Sequence, residues 1–177
     1  MRFAAFLCLL LSGCLATPGT GTSAAPGRAH DGTSVQQEAT VPGLPGVTLH
    51  GELFSMGQHH ILDMSATNEG TETFRVPVRC GPTWTDAMES RGQAVSAHPS
   101  QGYLQCCAWG DFGPGETLRH SFEWDELLWD GDDRHTDPPS GTYAWTGTLV
   151  VVAGSADPGC PQETPAPASL TFDVYVD

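Results

Sequence analysis

Hydrophobic and polar residues alternate along most of the chain from Val47 onward, which is the pattern of strands with one buried face. The alternation is weaker in residues 47–53, 84–89 and 103–109. No segment has apolar residues at helical spacing. The clearest rows are Leu62, Met64, Ala66; Phe74, Val76, Val78, Cys80; Leu118, His120, Phe122, Trp124; Tyr143, Trp145, Gly147, Leu149, Val151; and Leu170, Phe172, Val174, Val176.

Turn-forming residues separate these rows, as in Asn68-Glu69-Gly70 and Gly113-Pro114-Gly115. About eight short strands joined by such turns predict an all-β fold, an immunoglobulin-like antiparallel β-sandwich. Trp124, Tyr143 and Phe172 each stand in an alternating apolar row, so we expect all three in its core.

The N-terminus has a different pattern. The positively charged Arg2 precedes an apolar run at residues 3–11. This run is too short to span a bilayer of about 30 Å as a helix. Leu11-Ser12-Gly13-Cys14 resembles a bacterial lipobox, so residues 1–13 are predicted to be a lipoprotein signal peptide. Cys14 would then be the first mature residue and the lipid attachment site. The alternative is an ordinary secretory signal that is cleaved elsewhere.

Residues 14–45 are rich in Gly, Pro, Thr, Ser and Ala, a composition that buries too little apolar surface to offset its ordering entropy. This segment is predicted to be the lipidated cysteine followed by a flexible linker, and residues 46–177 the folded domain. The lipid would anchor the protein in the cell envelope, attached to a membrane and facing outside the cytoplasm.

The charge balance narrows the function classes. The 177 residues contain 7 Lys+Arg against 21 Asp+Glu, for a formal net charge of -14. A nucleic-acid binder needs cationic side chains to replace counterions, so this class is disfavoured. All seven cations are Arg, which excludes a catalytic or phosphate-binding lysine.

Four cysteines remain after the signal peptide and the lipid site: Cys80, Cys106, Cys107 and Cys160. In an oxidising compartment they predict two disulfides. Adjacent strand residues point to opposite faces, so Cys106 and Cys107 should reach different partners, in an order that the sequence leaves open. The alternative is a zinc site, for which a vicinal pair has poor geometry.

Recognised catalytic motifs do not occur, so we predict neither an enzyme nor a cofactor. His59 and His60 are neighbours that would face opposite ways on a strand, which makes a shared metal unfavourable, and a solvated turn is the preferred interpretation. His120 could serve as a base but is expected to be a hydrogen-bonded, half-buried histidine.

Residues 125–137 form the most unusual loop, with six acids against Arg134 alone. If the domain binds a protein, we expect Trp129 with Asp130, Asp132 and Asp133 to form the contact surface. The alternatives are a solvated surface loop and a calcium site, although the spacing of an EF-hand is missing. We expect no metal here.

Three segments between about residues 47 and 152 resemble, in this order, the BsuPI-type intracellular proteinase inhibitor domain. They are A-T-N-E-G at residues 66–70 with Phe74, F-G-P-G-E-T at 112–117 with F-E-W at 122–124, and P-S-G-T-Y at 139–143 with Gly147 and Leu149. The resemblance implies an immunoglobulin-like domain that binds or inhibits a proteinase. We therefore expect a lipid-anchored β-sandwich with an unknown protein partner, of which a proteinase is one candidate. A structural envelope lipoprotein without inhibitory activity is the alternative.

Overall fold

A computed structural model describes residues 27–29, 32–78, 82–98, 108–130, 134–151 and 168–177. These residues form strands and no helix, so none of them lies in a helix that is long and apolar enough to cross a membrane. The strands are β1 (Gly27–Ala29), β2 (Ser34–Thr40), β3 (Val47–Met56), β4 (His59–Asn68), β5 (Phe74–Pro77), β6 (Trp84–Ser90), β7 (Gln93–Val95), β8 (Trp109–Phe112), β9 (Thr117–Trp124), β10 (Leu128–Asp130), β11 (Arg134–Thr136), β12 (Gly141–Leu149) and β13 (Ala168–Val176).

Two larger sheets build the molecule. The five-stranded sheet has the order β1-β13-β12-β6-β7, and the four-stranded sheet has the order β2-β3-β4-β9. All ladders between described strands are antiparallel except that β1 runs parallel to β13. β5 with β8, and β10 with β11, form two short ribbons.

The sheets pack face to face, and the core lies between them. Leu53 and Leu62 of the four-stranded sheet and Trp145 and Phe172 of the five-stranded sheet have no exposed surface. A Cβ added to Gly51 would lie 2.8 Å from the Phe172 ring, so the sheets touch closely at this point. The predicted all-β sandwich is therefore confirmed, whereas its immunoglobulin-like type stays a prediction.

Asn68 joins the β4–β9 ladder to the β5–β8 ribbon. Its buried amide donates to the main-chain oxygens of Glu72 and Phe112, and its side-chain oxygen accepts from the N–H of Gly70. These bonds satisfy main-chain groups that leave the ladder at the turn, and an unpaired buried polar group would be costly. The asparagine of the first resemblance segment is thus a structural residue.

The predicted core rows agree with the structure in most positions. Trp124 and Tyr143 are each 1% exposed and Phe172 is fully buried, so all three predictions are confirmed. Two positions differ: Val78 is 54% exposed because β5 ends at Pro77, and His120 is exposed on β9. The structure has thirteen described strands rather than about eight, because it contains several segments of three or four residues.

The predicted boundary between linker and domain at residue 45 is wrong. β2 pairs along its whole length with β3, and β1 pairs with β13, so the sandwich includes residues that were assigned to the linker. Val35, Gln37 and Ala39 alternate as half-buried residues on β2, a weak apolar row that composition alone hides. Main-chain pairing to β3 stabilises this strand despite its polar sequence. The earlier part of the predicted linker and the predicted signal peptide lie outside the described residues.

Candidate functional site

The acidic loop folds into a β-hairpin at one end of the sandwich. β10 and β11 pair so that Trp129 lies opposite His135 and Asp130 lies opposite Arg134. The rings of Trp129 and His135 are in contact, with their centroids 5.3 Å apart. Trp129 is half-buried and Asp130 is exposed. The ring of Trp129 therefore has one supported side and some accessible surface.

Two hydrogen bonds and one apolar contact attach this hairpin to the sandwich. The main-chain N–H of Trp129 donates to the oxygen of Ser96 over 2.9 Å, just beyond the end of β7. The indole N–H of Trp124 donates to the oxygen of Leu127, also over 2.9 Å. Leu128 packs against the core cluster. The hairpin is held at its base by one main-chain bond next to β7 and by side-chain contacts to β9 and the core.

Two adjacent histidines fasten the segment that leads into the hairpin. His59 pairs with Asp125, and the buried His60 places its Nε2 3.0 Å from Oε1 of Glu126. Since a carboxylate only accepts hydrogen bonds, Nε2 of His60 donates to Glu126, and Nδ1 of the same ring lies in hydrogen-bond contact with the Ser55 hydroxyl 2.9 Å away. The expected solvated turn at His59-His60 is wrong, because both residues begin β4.

Glu126 holds an unusual backbone conformation in this segment. Its φ is +52°, in the left-handed region that costs a non-glycine residue about 1 to 2 kcal/mol. Its side chain is only 11% exposed and reaches the buried His60. The contact with His60 holds the side chain of Glu126 in this conformation, where the chain enters the hairpin.

The hydrogen-bonded series of Ser55, His60 and Glu126 has the residue types of a hydrolase triad but a different geometry. Ser55 is 3% exposed and His60 is 2% exposed, so neither side chain reaches a substrate at the surface. The His60 ring also packs on Trp124, with centroids 5.4 Å apart. The three residues position the loop before the hairpin.

Of the predicted partner-binding residues, the structure brings Trp129 and Asp130 together on the hairpin, while Asp132 and Asp133 lie outside the described residues. Asp125, whose side chain is 70% exposed, adds a second surface acid at the base. Within the described part of the chain, no three His, Cys, Asp or Glu side chains are grouped so that they could hold a metal ion. No local pattern in the sequence indicates that Asp125 and Glu126 pair with histidines 66 residues away.

The predicted lipid-bearing Cys14 and the predicted disulfide residues Cys80, Cys106, Cys107 and Cys160 also lie outside the described residues. Their lipidation and pairing therefore stay predictions.

A second feature lies where β6 and β7 of one sheet approach β9 of the other. A cavity of about 720 Å³ is bordered by Trp84, Met88, Val95 and Phe122 and by polar residues that include Asp86. Its other lining residues are Pro82, Thr85, Ala87, Ser96, Ala97, His98, His120, Ser121 and Glu123. Because Ser96 also accepts the hydrogen bond of Trp129, the cavity adjoins the base of the hairpin.

Asp86 is the central polar residue of this cavity wall. Its Oδ2 accepts hydrogen bonds from Nε1 of Trp145 over 2.8 Å and from Nε2 of His98 over 3.0 Å. Burial opposes its charge, but the bonds from His98 and Trp145 and the charge of His98 hold the pKa of Asp86 below its usual value. The bond with Asp86 raises the pKa of His98, against the smaller effect of burial, and the charge of Asp86 adds to it.

Trp84 has a polar atom without a partner. It is 4% exposed, it lines the cavity, and its buried Nε1–H has no acceptor among the described residues. Sequence reasoning missed this cavity because Trp84, Asp86 and Met88 read only as a weak strand. The one local signal was an acid between two large apolar residues on the same strand face.

Two comparisons with known proteins find no relative. No protein-family model matches the chain, and a search of curated proteins finds no match.

Proposed function

We propose that the protein is a lipid-anchored envelope protein whose β-sandwich binds a protein partner through the β10–β11 hairpin. The observation that carries this proposal is the placement of Trp129. Its main chain is bonded to Ser96 of the sandwich while its ring keeps accessible surface on a hairpin with exposed acids. A rigidly supported tryptophan loses little conformational entropy when a partner covers it, and tryptophan is enriched at the energetic centres of interfaces.

The charge around the ring indicates the chemistry of the partner. Asp125, Asp130 and Asp137 are exposed at the hairpin, and the exposed Arg134 lies opposite Asp130. The whole chain also carries a formal charge of -14. A basic patch with an apolar centre is the surface that complements this arrangement, and its association with the hairpin should slow as salt screens the charges.

The proposed location of the protein and the proposed class of its partner both rest on the sequence. The lipobox at Cys14 supports an anchor that keeps the domain outside the cytoplasm, attached to a membrane. The resemblance to BsuPI-type domains supports a proteinase as the first partner class to test. In this proposal the sandwich is a rigid frame and the hairpin is its recognition element.

The test uses the full-length protein, extracted from membranes in mild detergent and immobilised to capture proteins from a native envelope extract. We expect one or more captured proteins whose binding falls at least about tenfold in Trp129→Ala, since truncated hot-spot residues typically cost 2 kcal/mol or more. A triple variant with Asp130→Asn, Asp132→Asn and Asp133→Asn should weaken the same capture. Residual activity of a serine proteinase panel, measured with the same preparations, tests the inhibitory role.

The control variant removes the same charge elsewhere, at the exposed Glu38, Glu72 and Glu89, each changed to Gln. It should capture the partner as the parent does. If the hairpin variants capture the same proteins as well as the control does, the hairpin is not the recognition element. If the parent captures nothing above an empty matrix, the structural role replaces the binding role.

A further inference from the structure

We propose that a groove on the outer face of the four-stranded sheet binds a small zwitterion, a molecule with an ammonium group and a carboxylate or phosphate group. Glu52 and Asp63 receive the ammonium group, and Arg119 receives the anionic group. This site goes beyond the proposed hairpin function and does not depend on it. It rests on the shape of the groove, the strand register and the charges that the register places there.

The groove lies over β4, between β3 and β9. Its volume of about 390 Å³ falls within the range of about 300 to 1,000 Å³ that is typical of small-ligand sites. Leu62 and Met64 are buried, so the alternate residues Asp63 and Ser65 of β4 point away from the core and into the groove. The neighbouring strands contribute His50, Glu52, Arg119 and Ser121. A compact ligand over β4 therefore contacts side chains of all three strands.

Strand pairing sorts the charges of the groove into two neighbouring rows. In the first row, Glu52 lies directly opposite Asp63. In the second row, His50 and Arg119 lie opposite Ser65, on either side of β4. Two residues along a strand span about 7 Å, so the acidic row and the row of Arg119 are about 7 Å apart. With a contact of about 3 Å at each end, this spacing suits a ligand whose two charges are a few ångströms apart.

The two acids of the first row face each other without a cation between them. Like charges on directly opposite residues of an antiparallel pair destabilise the pair. None of the ion pairs between described residues involves Glu52, Asp63 or Arg119. The hydroxyl of Ser121 donates to Oδ1 of Asp63, which uses one of the two oxygens of that carboxylate. An ammonium group between Glu52 and Asp63 relieves their repulsion.

Arg119 favours a zwitterion over a simple cation or a simple anion. Its side chain is exposed, and a guanidinium binds a carboxylate or a phosphate through two parallel hydrogen bonds. A simple anion beside Arg119 is repelled by Glu52 and Asp63, and a simple cation beside the acids is repelled by Arg119. A ligand with both charges is attracted by both rows.

The experiment titrates ¹⁵N-labelled full-length protein, held in micelles of an uncharged maltoside detergent, with O-phosphoethanolamine. The buffer contains no phosphate and no zwitterion that would compete for the groove. We expect saturable shifts of the main-chain amide signals of Asp63, Ser65 and Arg119, with a dissociation constant of about 1 mM, as suits contacts between exposed charges. The signals of Thr85 and Thr146, which lie on the other sheet, should stay in place.

Two variants identify which charge of the ligand each row receives. Arg119→Gln should lower the affinity for O-phosphoethanolamine about two- to fivefold, the usual range for an exposed ion pair, without weakening the binding of ethanolamine. Glu52→Gln should have an effect of similar size without weakening the binding of inorganic phosphate. Glu89→Gln and Arg91→Gln remove the same charges at exposed positions outside the groove and should bind like the parent. Melting curves confirm that each variant is folded.

Further probes test the ligand class. Ethanolamine and inorganic phosphate carry one kind of charge each, so both should bind more weakly than O-phosphoethanolamine. Glycine is a zwitterion with a carboxylate, so its affinity relative to O-phosphoethanolamine identifies the preferred anionic group.

Unmoved groove signals with both zwitterions would overturn the proposal. If Arg119→Gln and Glu52→Gln bind like their controls, the assigned site is wrong. Tighter binding of ethanolamine, inorganic phosphate or calcium than of either zwitterion would overturn the assigned ligand class.

Discussion

The two sides of the sandwich differ in how closely the sheets approach each other. On the closed side, β12 and β13 pack directly on β3 and β4, and Gly51 lies so near Phe172 that a Cβ would not fit. On the open side, β6 and β7 stand away from β9 around a cavity that contains the Asp86–His98 pair. Close packing supplies stability on one side, and the gap on the other is lined by polar groups as well as apolar ones.

This contrast follows from side-chain size and charge on the inward faces. Gly51 and Gly147 on the closed side let large neighbours, Phe172 and Met64, approach the backbone of the opposite sheet. On the open side, β6 presents Asp86 between Trp84 and Met88, and a carboxylate needs hydrogen-bond donors that a close apolar contact would exclude.

The largest expected effect is the loss of unfolding free energy when one core residue on each side is truncated to alanine. Leu62→Ala on the closed side should lower the free energy of unfolding by about 4 kcal/mol, within the range for buried leucines. Met88→Ala should cost about 2 kcal/mol, the low end of the range for such truncations, because Met88 borders a space that already exists beside the core. Urea unfolding followed by tryptophan fluorescence measures both. Equal costs would remove the distinction between the two sides.

A smaller effect is expected when a methyl group is added to the closed side. The Cβ of Gly51→Ala would lie 2.8 Å from the Phe172 ring, so overpacking should cost about 1 to 3 kcal/mol. Gly113→Ala is the control, since its Cβ would meet Glu116 at 3.7 Å, an ordinary contact. If Gly51→Ala is as stable as Gly113→Ala in urea unfolding, the sheets are less tightly packed at this point than the structure indicates.

The smallest effect concerns pH and the open side. The raised pKa of His98 stabilises the fold at pH values below 6.5, the ordinary pKa of a histidine. This stabilisation is lost as the pH rises through the folded pKa. The lowered pKa of Asp86 stabilises the fold at pH values above 3.8, the ordinary pKa of an aspartate. This stabilisation is lost as the pH falls through the folded pKa. The pair should therefore contribute most between these two values.

The pH effect is measured as the difference in unfolding free energy between the parent and His98→Gln across this range. Because the His98 side chain is 35% exposed, solvent screening should keep the difference below about 1 kcal/mol. His50→Gln, which removes a histidine without an acidic partner in the described structure, is the control. A difference that grows above pH 7 would contradict the assigned pair.

The long strands could be predicted from the sequence, and the site residues only in part. Alternation placed Trp124, Tyr143 and Phe172 in the core because inward and outward positions alternate locally along a strand. The sequence also pointed to Trp129 and Asp130, although it did not show that they lie on a hairpin. His60 was misassigned to a solvated turn because its partners Ser55 and Glu126 are brought to it by strand pairing.

The sequence by itself determined that this chain is all-β and which face of its long strands is buried, since both depend on a period of two residues. Only the tertiary structure decided that polar residues 34–40 form a strand, because their stability comes from pairing with β3. It also decided that Asp86 meets His98 and Trp145 beside a cavity. Contacts between strands far apart in the chain depend on register and sheet order, which local patterns of hydrophobicity do not specify.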